Sequence, residues 1–416
     1  MSQGKPENTR PHVARQELAR VDGIYLHLPF CFHKCHYCDF FSVVTNREAD
    51  GRGDDPQARF TDALLSELKH WVREEARVGA AGDHDAPALA PLRPATIFAG
   101  GGTPTYLRPE LWARLLDALR GHGVLDHVTE FTVEANPETV TPDLMHQLRR
   151  GGVNRVSIGA QSFDRSSLEA LERWHDPDNV PRAVDACRQA GITNLSLDLI
   201  FAIPGQTLDQ LDRDLDRTLA LEPAHLSIYG LTYEPQTALT ARLRVGKVTP
   251  VDEDTERAMY DRVMTLLDDA GYEHYELSNW AKRDADRDFR CAHNLHYWHN
   301  RHWLGLGPGA ASHIAGRRWR NQPNLPAYLA GSPNPPRVDE EHLPPTRRVG
   351  ERLMLGLRLA QGVRLDWLDE RLTAGDDRHL TIAEAEQLGL LQRTGTHLRL
   401  TRTGRFVADT VLVRLL

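Results

Sequence analysis

Three cysteines, Cys31, Cys35 and Cys38, stand at a C-x3-C-x2-C spacing in the run Tyr25-Leu26-His27-Leu28-Pro29-Phe30-Cys31-Phe32-His33-Lys34-Cys35-His36-Tyr37-Cys38. A loop of that size can wrap one inorganic centre, and thiolate is the donor that soft and borderline metals prefer. Two chemistries compete. A structural zinc ion takes four protein ligands, so His27, His33 or His36 would have to join the thiols. An iron–sulfur cube on three thiolates keeps one iron open to a small molecule, which suits a reactive cluster rather than an electron wire with four Cys. No second C-x2-C lies nearby, which weighs against a zinc knuckle. The total of five Cys is odd, a poor disulfide framework and a plausible ligand set in a reducing compartment. Cys187, in the helical AVDACRQAG, reads as a buried apolar residue.

Other candidate groups fall at the ends of β-rich runs. Gly100-Gly101-Gly102-Thr103-Pro104-Thr105 follows one run, and bare glycine backbone lets a ligand approach its N–H groups. Glu134 in TVEANPE ends the third run, Gln161 in SIGAQSF ends the fourth, Asp198 in LSLDLIFAIPGQT sits within the fifth, and Arg173 in LERWH adds a cation. Taken singly, Glu134 or Asp198 reads equally well as a helix cap or an ion-pair partner, and Tyr25 as packing. Together, at successive strand ends, they favour one shared ligand site.

The runs that must position these groups are 23–28, 95–100, 130–136, 155–161, 194–201 and 225–231, with helical spacing at 58–72, 110–120 and 208–221 between them. Alternation of this kind predicts parallel strands with crossover helices, and six repeats are fewer than the eight of a closed barrel. The expected fold class is α/β: a partial (β/α)6 barrel with functional groups at the carboxyl edge, followed by a smaller helix-rich, winged-helix-like C-terminal domain. The segments are a polar tail at 1–22, the barrel at 23–235, an extension at 236–334 and the C-terminal domain at 335–416. The extension is predicted to hold a helix at 255–271, a strand at 272–281 and a glycine-rich stretch at 304–313. Segments 45–57 and 76–94 read as surface loops.

Composition supports a folded protein of 416 residues, 40% hydrophobic and 26% charged. The net charge of −8 gives no reason to expect a nucleic-acid partner. No apolar run reaches the ~18 residues of a membrane span, and the polar start MSQGKPENTRPHVARQELAR lacks a secretory segment, so the expected compartment is the cytoplasm.

The run YLHLPFCFHKCHYCDF resembles the signature of radical S-adenosylmethionine proteins, in the group of oxygen-independent coproporphyrinogen III oxidases and the related HemW-type heme chaperones, and the likeness extends over nearly the whole chain from Gly23. The resemblance implies a 4Fe-4S cluster on Cys31, Cys35 and Cys38, whose open iron chelates S-adenosylmethionine and whose electron can cleave the sulfonium to a 5′-deoxyadenosyl radical. It carries S-adenosylmethionine contacts, for one or two molecules, onto Tyr25, Tyr37, Gly101, Gly102, Thr103, Glu134, Gln161, Arg173 and Asp198. One departure is Phe201-Ala202-Ile203-Pro204-Gly205, where the family usually has Tyr-Gly-Leu-Pro-Gly.

Within the group, the oxidases carry a fourth cysteine two residues after the third, where this chain has Phe40. Arg290-Cys291-Ala292-His293-Asn294-Leu295-His296-Tyr297-Trp298 contains H-N-x-x-Y-W, which resembles the motif of the chaperones. An imidazole beside aromatic rings suits heme. His293 is the preferred axial ligand, with His296, His299 and Cys291 poorer candidates; alternatively His293 and Asn294 brace a helix and Tyr297 and Trp298 are core. The function implied is a heme chaperone that passes heme to an acceptor, such as a respiratory heme enzyme, with an electron donor for the cluster. The alternatives are the coproporphyrinogen oxidase of porphyrin biosynthesis and a zinc-stabilised interaction protein.

Overall fold

The computed structural model describes residues 18–45, 55–73, 78 and 88–416. The polar start through residue 17 and most of the two expected surface loops, at 46–54, 74–77 and 79–87, lie outside the described residues.

Six parallel strands form the centre: β1 (Gly23–Leu28), β2 (Thr96–Gly101), β3 (Glu130–Ala135), β4 (Arg155–Gln161), β5 (Asn194–Phe201) and β6 (His225–Gly230). They pair in chain order, all parallel, as the strand and helix alternation requires. The crossovers carry α1 (Pro56–Trp71), α2 (Pro109–Gly121), α3 (Pro142–Arg150), α4 (Asn179–Gln189) and α5 (Leu208–Ala220). Helix starts are written locally: Asp55 accepts from the Ala58 N–H with Pro56 at the first turn, and Thr207 and Gln210 form a reciprocal capping box on α5.

Two features of the expected extension are corrected. The single strand expected at 272–281 is an antiparallel pair, β7 (Tyr272–Glu276) and β8 (Asn279–Lys282), turned at Leu277-Ser278 and laid against β6. The glycine-rich stretch at 304–313, for which no strand is expected, contains two. Its first residues belong to β9 (Trp303–Leu306), a seventh parallel strand beside β1. There follow β10 (Ala311–Ile314), β11 (Arg317–Asn321) and β12 (Arg337–His342), all antiparallel. The 12-stranded order is β12-β11-β10-β9-β1-β2-β3-β4-β5-β6-β8-β7, so the barrel stays open. The glycines hid β9 because they are there for close approach: a Cβ on Gly305 would sit 2.3 Å from the Ala311 carbonyl oxygen.

The central strands alternate with period two. Ile24, Leu26, Ile97, Phe131, Val133, Val156, Ile158, Leu195, Leu197 and Leu226 join the core with the helices. The intervening positions face the lumen and are largely polar. After β12 the chain forms α6 (Pro345–Arg358), a short helix-rich run and a three-stranded sheet around its own apolar cluster, which includes Leu353, Leu357, Leu398 and Leu412. Strand β12 is part of the main sheet, so that sheet runs past the expected division at 335. Among the described residues no helix is long and apolar enough to cross a membrane.

Candidate functional site

The cysteine loop leaves β1 at the carboxyl edge. Phe30–Cys31 pairs in parallel with Val43–Val44, which closes the loop, and the Gly102 and Thr103 N–H groups donate to the Leu28 and Phe30 carbonyls, 2.8 Å each. All three thiols are free. The Arg173 guanidinium donates to Cys35 Sγ at 3.6 Å, and Thr103 Oγ1 lies 3.5 Å from Cys31 Sγ. Burial pushes the Cys38 thiol up to about 12 and raises Cys31 as well, so metal uptake by this loop must expel protons. Tyr37 lies against the same group; burial raises its hydroxyl while Arg173 pulls it down.

None of the three imidazoles that could complete a zinc site turns to the thiols. His27 Nε2 donates to the Phe41 carbonyl at 2.8 Å while Nδ1 faces the Tyr25 hydroxyl at 3.2 Å. His33 Nε2 donates to the Glu172 carbonyl and its ring stacks on Trp174 at 3.8 Å between centroids. His36 Nδ1 faces Arg242. Among the described residues no three His, Cys, Asp or Glu side chains close on a single metal ion. None of the three imidazoles therefore stands as a fourth zinc ligand, and a set of three thiols is the number that a cluster with one open corner takes.

Behind the loop lies the polar lumen. The Gly101 N–H donates to Glu134 Oε2 at 3.3 Å. Gly101 has φ +103°, and a Cβ there would meet the His27 ring at 2.5 Å, so only glycine fits. Burial, together with the nearby Asp198 carboxyl, pushes the Glu134 carboxyl up to about 8. Asp198 is caged by hydroxyls: Ser157 donates at 2.9 and 3.0 Å and Ser196 at 3.1 Å, and burial still raises its carboxyl. Gln161 follows a β-bulge at Gly159 and takes a left-handed φ of 62°, which re-aims its side chain. A Cβ on Gly159 would strike Gln161 Nε2 at 2.8 Å and Arg173 Nη2 at 3.2 Å. Eight of the nine expected contact residues therefore gather around the loop and the upper lumen. Tyr25, lower on β1, faces the same space and lies near Glu134.

The Phe201-Ala202 departure has a backbone consequence. Ala202 has φ 59°, where the family's glycine would sit without strain. Ala202→Gly is expected to stabilise the fold by about 1 kcal/mol, read as a rise in the urea midpoint.

His293 is elsewhere. It is 1% exposed on the short helix Ala292–Trp298, which Glu130 caps through the Ala292 and His293 N–H groups at 2.9 and 3.0 Å. Its Nδ1 pairs with Thr96 Oγ1 at 2.7 Å and its Nε2 with the Tyr297 hydroxyl at 2.8 Å. Thr96 begins β2, so this ring braces the amino-terminal floor of the barrel, and in this conformation it offers no lone pair to an iron. Burial holds its pKa down at about 3. His293→Ala should cost about 2–4 kcal/mol in urea unfolding, through a cavity and two stranded hydroxyls, and leave iron uptake by the cysteine loop unchanged. Cys291 is buried beside Glu130, His296 is buried and His299 closes the same helix.

Sequence reasoning missed Arg155, 2% exposed in the lumen with its Nε unpartnered and with Glu130, Asp198, Cys291 and Tyr275 around it. It missed His225 too, held between Ser196 Oγ (2.9 Å) and the Tyr275 hydroxyl (2.8 Å). The available signal was the alternation itself: Arg155-Val-Ser157 and Ser196-Leu-Asp198 place a polar residue at every second position of strands buried on both faces.

The radical SAM superfamily model matches residues 25–218, and the HemN C-terminal domain model matches 343–407. The heme chaperone HemW of Mycobacterium tuberculosis is 36% identical over 396 residues, 95% of this chain and 94% of that protein. That of Bacillus subtilis is 32% identical, across 94% of this chain and 98% of its own. The chain belongs to the heme chaperone HemW family of radical SAM proteins. Coproporphyrinogen III oxidase (HemN) from Escherichia coli, a radical SAM enzyme, shares the fold with a TM-score of 0.77 at 21% identity, covering 96% of this chain and 91% of that one. In this HemW-family chain the position two residues past Cys38 is Phe40, 58% exposed beside the thiols.

Proposed function

We propose that the chain is a heme chaperone that binds heme and passes it to an acceptor protein, with a 4Fe-4S cluster on Cys31, Cys35 and Cys38. The observation that carries this reading is the end-to-end likeness to heme chaperones, 36% identity across 95% of the chain. Three thiols with no fourth donor agree with it. When bound, the cluster and S-adenosylmethionine supply one-electron chemistry at the sulfonium.

The chain's own residues do the positioning. Arg173 offsets thiolate charge at Cys35. The glycine turn at 100–102 keeps Cβ atoms out of the space beside the open corner, and Thr103, Tyr37 and Gln161 wall it. Glu134, neutral near pH 7 with its carboxyl at about 8, is positioned to ionise against a cationic or hydroxyl-bearing ligand such as S-adenosylmethionine; Asp198 shares that space, and Tyr25, its hydroxyl held protonated by burial, lines it from below. The acceptor, the electron donor and a cytoplasmic setting belong to this same reading.

The test is heme titration of anaerobically prepared, iron- and sulfide-reconstituted protein, followed by mixing with heme-free respiratory enzymes. Stoichiometric heme uptake and recovery of acceptor activity are expected. Rapid conversion of coproporphyrinogen to protoporphyrinogen with S-adenosylmethionine would instead make it the oxidase.

A further inference from the structure

Far from the cysteine loop, a cavity of about 330 Å³ opens between the β10–β11 hairpin and α6 of the C-terminal domain. Junctions between domains are common ligand sites, and this volume lies near the lower end of the usual range of ~300–1,000 Å³, enough for the edge of a macrocycle. Its walls are basic. Arg318 is matched by Glu351, which also accepts from Asn300 Nδ2 at 2.8 Å. Arg348 and Arg352 have no carboxylate partner among the described residues. Arg348 is nonetheless held in place: its Nε donates to the Leu343 carbonyl at 2.7 Å and its guanidinium packs on the bare backbone of Gly316, where a Cβ would lie 2.5 Å away. Arg352 rests over the Trp367 ring at 5.0 Å. Two guanidinium groups, Arg348 half-buried with its Nη2 against His342 Nε2 and Arg352 exposed, thus stand on one wall without a carboxylate and are free to meet anions.

Two imidazoles share the cavity. His302 and His313 meet edge to face at 5.8 Å, and each donates from Nδ1 to a carbonyl, of Arg20 at 3.0 Å and of Arg301 at 3.1 Å. An Nδ1–H committed in this way leaves the lone pair on Nε2, the tautomer that binds a metal. Burial, with Arg318 beside it, keeps His313 down at about 4, so its ring is neutral near pH 7.

We propose that this cavity receives the carboxylate edge of heme, with Arg348 and Arg352 meeting the two propionates. The inference rests on the heme-chaperone reading. Two cations without carboxylate partners match two carboxylates, and the His313 imidazole beside them, with its Nδ1 committed to the Arg301 carbonyl, distinguishes a porphyrin from a small dianion.

The experiment compares heme with its dimethyl ester, in which both propionates are blocked, on the full-length protein and on Arg348→Gln/Arg352→Gln, with melting curves checking that the variant folds. The parent should bind heme about tenfold or more tighter than the ester, and the variant should lose that preference. Parent and variant binding heme and ester alike would overturn the cavity assignment while leaving heme binding standing. No heme uptake by the parent would overturn the underlying reading and this assignment with it. Citrate protecting the parent from melting but not the variant, with heme affinity equal in both, would assign the cavity to a small carboxylate and overturn the heme role.

Discussion

Single replacement of Cys31, Cys35 or Cys38 by Ala is expected to abolish nearly all iron and sulfide retention after anaerobic reconstitution. The loop has no spare donor. His27 is committed between Phe41 and Tyr25, His33 to the Glu172 carbonyl, and His36 faces Arg242. Two thiolates alone cannot hold a cluster against hydrolysis, and the thiols' burial already makes deprotonation costly, with Cys38 at about 12. Cys31 and Cys38 are only half-buried, so the urea midpoint of those two variants should move by less than about 1 kcal/mol. Full iron content in any one of the three variants would remove that cysteine from the ligand set. S-adenosylmethionine binding, followed by equilibrium dialysis, should be lost in the same variants, because the open corner exists only when the other three are filled.

Arg155→Met should lower stability by about 3–5 kcal/mol near pH 8, the second large effect. The arginine is buried among Glu130, Asp198, Cys291 and Tyr275, and its removal leaves carboxyls in the lumen without a counter-charge. The pH dependence follows from the carboxyl directions. Glu134 sits at about 8 in the folded chain against 4.5 for a solvent-exposed glutamate, so between those values the folded state holds a proton that the unfolded state has released. Stability from that proton is complete at lower pH and is lost as pH rises through the folded value. Arg155 pulls both Glu134 and Asp198 down, so without it both rise further and the loss steepens and extends to higher pH. Urea titrations at pH 4.5 and 8 check this: the deficit should be small at the first and large at the second. A deficit equal at both would mean that Arg155 acts by packing alone.

Much of the barrel was legible because its signals are local. Alternating apolar residues in runs of six to eight, punctuated by helices with their own caps, specify parallel strands wherever the chain crosses back, and the strand ends follow from the same pattern. The cysteine spacing and the glycine turn are local too, so Cys31, Cys35, Cys38 and Gly101 could be named from the chain alone. The seventh strand escaped because Gly305 and Gly307 suit close backbone contact, against Ala311 and against the His27 carbonyl, rather than any β preference.

The sequence by itself determined which atoms can bind metal, that three thiols lie in one loop, and that polar groups, Glu134, Gln161 and Asp198, fall on three successive strands. Only the tertiary structure decided which imidazoles remain available. His293 and Thr96 are 197 residues apart, and their hydrogen bond engages the motif histidine at the floor of the barrel in this conformation. Arg155 becomes the lumen's counter-ion because strand pairing brings it beside Glu130 and Asp198. Arg348 and Arg352 face the β10–β11 hairpin because the C-terminal helix docks there. The physical reason is common to all three: a side chain's chemistry is carried by its own covalent structure, whereas its protonation, its free lone pairs and its uncompensated charge are set by neighbours that the fold supplies from far along the chain.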